Sequence, residues 1–259
     1  MPGGDGRAGR ERPLPVAVVG SSGRMGGETC RAVEEADDLA LVGRFGRADE
    51  LGDLAGAEVV VDFSVPAATL DVVLHCVQRG VHVVVGTTGW DDDRLATLRH
   101  QLEDHPQVGV LIAPNFAIGA ILMMRFAQEA ARFYESVEVV ELHHPAKVDA
   151  PSGTAARTAR LVADARSGAG LGAVPDATTH DPDHARGARV GGIPVHSVRL
   201  RGLVAHQEVL FGGAGELLTI RHDSFDRASF MPGVLEGVRK VGQHPGLTVG
   251  LEHYLGLGQ

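Results

Sequence analysis

Glu141-Leu142-His143-His144-Pro145-Ala146-Lys147-Val148-Asp149-Ala150-Pro151-Ser152-Gly153-Thr154 sets two histidines, a lysine and a Ser-Gly-Thr helix opening in one short stretch. Histidine, with an unperturbed pKa of about 6.5, exchanges protons near neutral pH, and the lysine that follows can supply a proton or a fixed positive charge. Ser152 is a good N-cap residue. The backbone N–H groups of Gly153 and Thr154 would then face a carboxylate or phosphate, with the glycine allowing close approach. Taken alone, Pro-Ser-Gly-Thr is an ordinary helix cap; beside Lys147 it reads as an anion socket next to groups that move protons. Successive strand side chains point to opposite faces, so His143 and His144 are expected to do different work.

These residues need a strand and a helix to hold them. Val137–Leu142 reads as the strand from its β-branched content, and Thr154–Arg166 has helical spacing and composition. A second strand-to-helix crossing lies near the N-terminus, where Leu14–Val19 runs into Gly20-Ser21-Ser22-Gly23-Arg24-Met25-Gly26 and a helical segment ending near Ala36. Glycines permit a tight turn and close approach to a pyrophosphate, and the helix N-terminus supplies N–H groups and partial positive charge. The spacing is G-x-x-G-x-x-G, not the strict G-x-G-x-x-G fingerprint, so the flanking strand and helix carry the inference. The next strand, Leu39–Gly43, ends in Arg44-Phe45-Gly46-Arg47 with no carboxylate before Asp49. A 2′-phosphate would meet positive charge there, which predicts a preference for NADPH.

Glu58–Ser64, Val81–Gly86 and Val108–Ala113 are apolar runs separated by helical segments, the pattern of strands buried on both faces of a parallel sheet. Ligands of such sheets bind outside the carboxyl ends of the strands. Gly86-Thr87-Thr88-Gly89 and Ala113-Pro114-Asn115-Phe116 are therefore expected to line the nicotinamide side of the site. Trp90, the single tryptophan, would report on it.

The glycine turn, Asp62-Phe63-Ser64, Gly86–Gly89, Ala113–Phe116 and the block from Glu141 to Thr154 together resemble the 4-hydroxy-tetrahydrodipicolinate reductase (dihydrodipicolinate reductase) family, in order and approximate spacing from residue 14 onward. The resemblance implies an α/β fold: a Rossmann-like parallel-sheet nucleotide-binding domain plus a smaller α+β substrate-binding and oligomerisation domain. The first would be discontinuous, residues 14–116 and 224–259, with the second at 117–223 and residues 1–13 a disordered extension without a signal peptide. The implied reaction is the NAD(P)H-dependent reduction of a cyclic hydroxy-imine dicarboxylate with loss of water, in the diaminopimelate route to lysine. His143 and Lys147 would be catalytic, with His144, Gly153 and Thr154 binding substrate. Gly20, Ser21, Ser22, Gly23, Arg24, Met25, Arg47, Gly86, Thr87, Thr88, Ala113, Pro114, Asn115 and Phe116 would bind cofactor. Gly46 stands where family members often carry an acidic residue for the ribose, which favours NADPH, although members commonly accept NADH too. The family forms homotetramers. Two other readings are a reductase of the same architecture acting on another cyclic imine or oxo-acid, and a non-catalytic NADPH-binding sensor.

Length and composition agree. A chain of 259 residues, 44% hydrophobic, can bury a substantial core in two domains. A formal net charge of −9 argues against nucleic acid or an acidic membrane as partner. An anionic substrate must then be drawn by local charge, from Lys147, Arg227 and a helix terminus. Cys30 and Cys76 form no disulfide framework or thiolate metal spacing, as expected in a reducing cytoplasm, and the scattered histidines predict no metal site. Residues 167–194, rich in Gly, Pro, Asp and His, read as a long loop, either a lid or an intersubunit arm. Val195–Leu200, His206–Phe211 and Leu217–His222 read as short strands, followed by a helix over Ser229–Lys240 and an apolar Leu247–Leu251.

Overall fold

A computed structural model of the chain describes residues 12–257. Of the expected N-terminal extension, residues 1–11 lie outside the described residues. The chain divides into two compact units: one made of residues up to Ala117 and from Phe230 onward, the other of Ile118–Ser229.

The first unit contains β1 (Leu14–Val19), α1 (Arg24–Glu34), β2 (Leu39–Phe45), β3 (Val59–Asp62), α2 (Thr69–Gln78), β4 (His82–Val85), α3 (Asp92–Glu103), β5 (Gly109–Ile112), α6 (Met231–Lys240) and β11 (Gly246–Val249). Its six strands run in the order β11-β5-β4-β3-β1-β2 and every pairing is parallel. Valines of β1, β3 and β4 are buried on both faces, which is why these strands read as unbroken apolar runs. The order reverses between β1 and β3, so the carboxyl ends of these two strands form the crevice in which open sheets bind ligands. β2 is longer than its sequence suggests. The expected end at Gly43 gives way to pairing of Arg44 and Phe45 with Val18 and Val19 across the β1 edge.

The second unit holds α4 (Ile118–Ala130), β6 (Ser136–His143), α5 (Gly153–Gly168), β7 (Ala188–Val190), β8 (Ile193–Arg199), β9 (Ala205–Gly213) and β10 (Glu216–Ser224). Its mixed sheet has the order β10-β9-β6-β8-β7, with β6 parallel to β8 and antiparallel to β9. Alternation along β6 turns Val137, Val139 and Glu141 inward. The valines pack with Val195, Val209 and Phe211 against Ala155, Ala159 and Val162 of α5. The stretch 167–194, expected as a long loop, contains regular structure as well. It carries the edge strand β7, antiparallel to β8, and Asp176 forms ion pairs with Arg186 and Arg189 while Arg186 also pairs with Glu138 of β6. A three-residue strand, Ala188-Arg189-Val190 between glycines, has too little periodicity to read from sequence.

Among the described residues no helix is long and apolar enough to cross a membrane, and no group of His, Cys, Asp and Glu could hold a metal ion. Cys30 and Cys76 are both buried as free thiols in α1 and α2. Burial pushes the Cys76 thiol up to about 12.

Candidate active site

In the second unit, β6 ends at His143, whose ring lies on the inward-facing row with Glu141 two residues before it. Glu141 is fully buried. Its Oε2 lies 2.5 Å from His143 Nδ1, and its Oε1 accepts the Ser152 N–H at 3.2 Å. Arg199, at the end of β8 and in register with His143, donates from Nη1 to Oε2 and from Nη2 to Oε1, each at 2.8 Å. The same Nη2 reaches the Asp149 carbonyl at 2.7 Å. Burial alone would raise the Glu141 carboxyl, but Arg199, Ser197 and His143 outweigh it and hold the group below its ordinary range, hence ionised.

Burial pulls His143 below its ordinary 6.5, the Glu141 carboxylate works against this, and the charges of Lys147 and Arg199 add to the lowering. A neutral imidazole results near neutral pH. Because an ionised carboxylate can only accept, the proton of the Glu141–His143 bond belongs to Nδ1 and the Nε2 lone pair is left to exchange protons. His144 lies beyond the strand end and is exposed.

Lys147 and Asp149 sit on the turn between β6 and α5, with Lys147 Nζ donating to Asp149 Oδ1 at 2.7 Å. The Gly153 N–H lies close enough to the same carboxylate to favour its ionised form slightly. Lys147 above all, with smaller help from the Asp149 and Gly153 backbone, holds Asp149 below the usual carboxylate range despite some burial. Ser152 caps α5 as expected, its hydroxyl accepting from Ala155 N at 3.2 Å. Thr154 is half-buried in the first turn, and Gly153 is exposed with room for a Cβ, since no atom lies within 4 Å of that position. Arg227 is exposed at the start of the 3-10 turn Arg227–Phe230, where the chain leaves this unit.

In the first unit, Gly20 turns at φ +79° directly after β1, and a Cβ there would collide with the Phe63 carbonyl. A Cβ on Gly26 would overlap the Gly20 carbonyl, and one on Gly23 would approach it to 3.1 Å. Helix α1 starts after Gly23 with no side-chain cap, leaving Ser21, Ser22, Arg24 and Met25 around the turn. Buried Asp62 anchors the neighbouring loop by accepting from Ser64 N at 2.9 Å and from the Thr69 hydroxyl. Phe63 packs over Gly86, where no side chain would fit, and edge-on against Phe116 at 5.9 Å between ring centres. Thr87 donates to the Asp62 carbonyl at 3.3 Å, and Asn115 Oδ1 accepts from Ala117 N at 2.8 Å. The ends of β1, β3, β4 and β5, with Thr88, Ala113 and Pro114, thus surround one crevice. The Ser64 hydroxyl oxygen is buried there without a hydrogen-bond partner. A glycine turn in which Gly20 and Gly26 leave no room for a Cβ, an uncapped helix start and this orphaned hydroxyl fit a dinucleotide pyrophosphate.

At the end of β2, Arg44 pairs with Glu34 of α1 at 2.5 Å, while Arg47 is exposed. Asp49 Oδ2 takes the Gly46 N–H at 2.6 Å.

Glu141 opens the sequence block but was given no role from sequence, and Arg199 was not singled out. The signal available for Glu141 was a carboxylate continuing the inward row Val137-Val139; Arg199, far off in sequence, gave none.

Models of the dihydrodipicolinate reductase N-terminus and C-terminus match residues 14–116 and 119–255. The chain is similar to the 4-hydroxy-tetrahydrodipicolinate reductases of Streptomyces griseus, 62% identical over 94% of this chain and 98% of that protein, and of Cutibacterium acnes, 61% identical over 94% and 99%. Among solved structures, the dipicolinate-bound dihydrodipicolinate reductase from Paenisporosarcina sp. TG-14 superimposes with a TM-score of 0.82 at 37% identity, covering 93% of this chain and 99% of that one. A myo-inositol 2-dehydrogenase from Lactobacillus plantarum, 11% identical at a TM-score of 0.59, shares the fold alone. A parallel Rossmann-like sheet with a glycine turn, a second unit carrying the His143–Lys147 block, and matches along nearly the whole chain lead to one assignment: the chain belongs to the dihydrodipicolinate reductase family.

Proposed function

We propose that the protein reduces 4-hydroxy-tetrahydrodipicolinate to tetrahydrodipicolinate with loss of water, in the diaminopimelate route to lysine. The observation that carries this reading is a carboxylate held on Lys147 Nζ at 2.7 Å, beside the start of α5. Here it belongs to Asp149, and it occupies the ammonium assigned to a substrate carboxylate.

The first unit binds the cofactor through Gly20–Met25, Gly86–Thr88 and Ala113–Phe116. A reduced nicotinamide, when bound, supplies the hydride. The second unit holds the dicarboxylate through His144, Lys147, Gly153 and Thr154 and manages protons. His143, neutral with Nε2 available, exchanges the proton that accompanies loss of the hydroxyl, and Lys147 Nζ donates the proton that completes reduction. One hydride and one proton are consumed per turnover, and the hydroxyl leaves as water.

NADPH is the preferred cofactor, with NADH also accepted. Arg47 faces the 2′-phosphate, since Arg44 is engaged by Glu34. The second unit assembles the enzyme into a homotetramer by its open sheet face. Val140 and Leu142 of β6 and Val198 of β8 lie on that face, opposite the inward row. The setting is the cytoplasm.

Separate His143→Gln and Lys147→Ala variants test the catalytic assignment. Turnover falling by at least about a hundredfold with cofactor binding retained supports it; unchanged turnover in either rules out that residue's role.

A further inference from the structure

We infer that Glu141, clamped by Arg199, is a positioning residue of the reaction: it fixes the tautomer and orientation of His143, and through Arg199 it ties the Lys147 turn to the same anchor. The inference rests on the role proposed for His143. A fully buried carboxylate is costly unless its oxygens are satisfied, and Glu141 is satisfied on both. Oε2 takes His143 Nδ1 and Arg199 Nη1; Oε1 takes Arg199 Nη2 and the Ser152 N–H. A bidentate guanidinium fork resists rotation of the carboxylate plane, so the imidazole is held on a fixed acceptor. Among the described residues His143 Nε2 has no hydrogen-bond partner, and it is the atom this arrangement presents.

Arg199 does a second thing. Its Nη2 also holds the Asp149 carbonyl at 2.7 Å, and Asp149 holds Lys147 Nζ. The two groups proposed to move protons, His143 on β6 and Lys147 on the turn, are therefore referenced to one side chain on β8. The Ser152 N–H adds the start of α5 to the same anchor. The groups that face His143 are Glu141 from its own strand, Arg199 from β8, and Lys147 from the turn; the residue opposite it on β9 is Ala205, which carries no charge.

The test compares Glu141→Gln, Glu141→Asp and Arg199→Lys with the wild type, by two readouts. The first is the pH profile of kcat with the substrate generated in place. Outer partners of this kind typically contribute about 10–100-fold, so kcat should fall by that factor in Glu141→Gln with KM changed less than about threefold. Because the Glu141 charge supports the protonated imidazole, the limb due to His143 should move to lower pH in Glu141→Gln. Glu141→Asp, which keeps the charge on Arg199 but draws back from the ring, guards against a variant that fails to fold, and it should show the same loss of kcat. Arg199→Lys, with charge but no fork, should lose kcat in the same range. A loss that merely follows the folded fraction, with the limb unmoved, overturns the proposal.

The second readout needs no turnover: the rate at which diethyl pyrocarbonate acylates His143, read by peptide mass spectrometry against pH. A midpoint displaced to lower pH in Glu141→Gln supports the positioning role. A wild-type His143 that is not modified, or a midpoint that does not move, overturns it. If the wild type fails to reduce the substrate while this midpoint still moves, the functional reading fails and the positioning role stands.

Discussion

Lys147 and Asp149 form an ion pair of 2.7 Å beside the start of α5, so the chain's own anion competes for the ammonium of the proposed substrate socket. The Asp149 side chain is 51% exposed, and ion pairs this accessible are worth up to about 1 kcal/mol. Asp149→Asn should accordingly bind dipicolinate up to about fivefold more tightly by calorimetry. Weaker binding would mean that Asp149 chiefly orients Lys147.

The glycines divide into two kinds. Gly20 and Gly26 have backbone where a Cβ would go, and Gly20 also needs positive φ. Gly26→Ala should destabilise the first unit by about 1–3 kcal/mol, the range of overpacked sites, and abolish cofactor binding. Gly153 has open space instead. Gly153→Ala should melt within a few degrees of the wild type yet bind dipicolinate about tenfold more weakly, because a methyl group would stand where the carboxylate approaches. Equal melting losses in the two variants would contradict this.

Arg47→Ala should raise the Kd for NADPH by about tenfold, the size of one charge-assisted phosphate contact of about 1.5 kcal/mol, and leave NADH within about twofold. Trp90 provides the signal, since its Nε1 donates to the Thr87 carbonyl at 3.1 Å beside the proposed nicotinamide loop. Equal losses for both cofactors would remove Arg47 from the 2′-phosphate.

Stability should fall on mild acidification. Burial holds both His143 and His222 below their ordinary 6.5, so the unfolded chain binds more protons than the folded one between the two values. Their contribution is fully present above about pH 6.5 and is lost as pH falls through the folded pKa values. Glu138, raised by burial but lowered further by Arg186 and His196, and Glu141, with its Arg199 clamp, add losses below their ordinary 4.5. Urea midpoints at pH 7.5, 5.5 and 4 should decrease in that order. A midpoint unchanged between 7.5 and 5.5 would refute the histidine part.

The valine runs of β3 and β4 and the glycine turn after β1 were legible because burial on both faces and close backbone approach leave local composition behind them. The end of β2 was not, since Arg44 and Phe45 pair only because β1 continues beside them. The Glu141–Arg199 anchor of the candidate site escaped for a similar reason. Glu141 and Arg199 meet through the β6–β8 register, a tertiary relation in which His143 lies opposite Arg199. The hold of Arg199 on the Asp149 carbonyl, from a strand some fifty residues on, left no local signal either.

The central claim is tested most directly by following nicotinamide absorbance while the preceding pathway enzyme generates the substrate in place from pyruvate and aspartate semialdehyde, with NADPH and NADH in separate reactions. The account predicts rapid oxidation that depends on the generated substrate, faster with NADPH. No oxidation of either cofactor, by protein whose Trp90 fluorescence still reports NADPH binding, would contradict it.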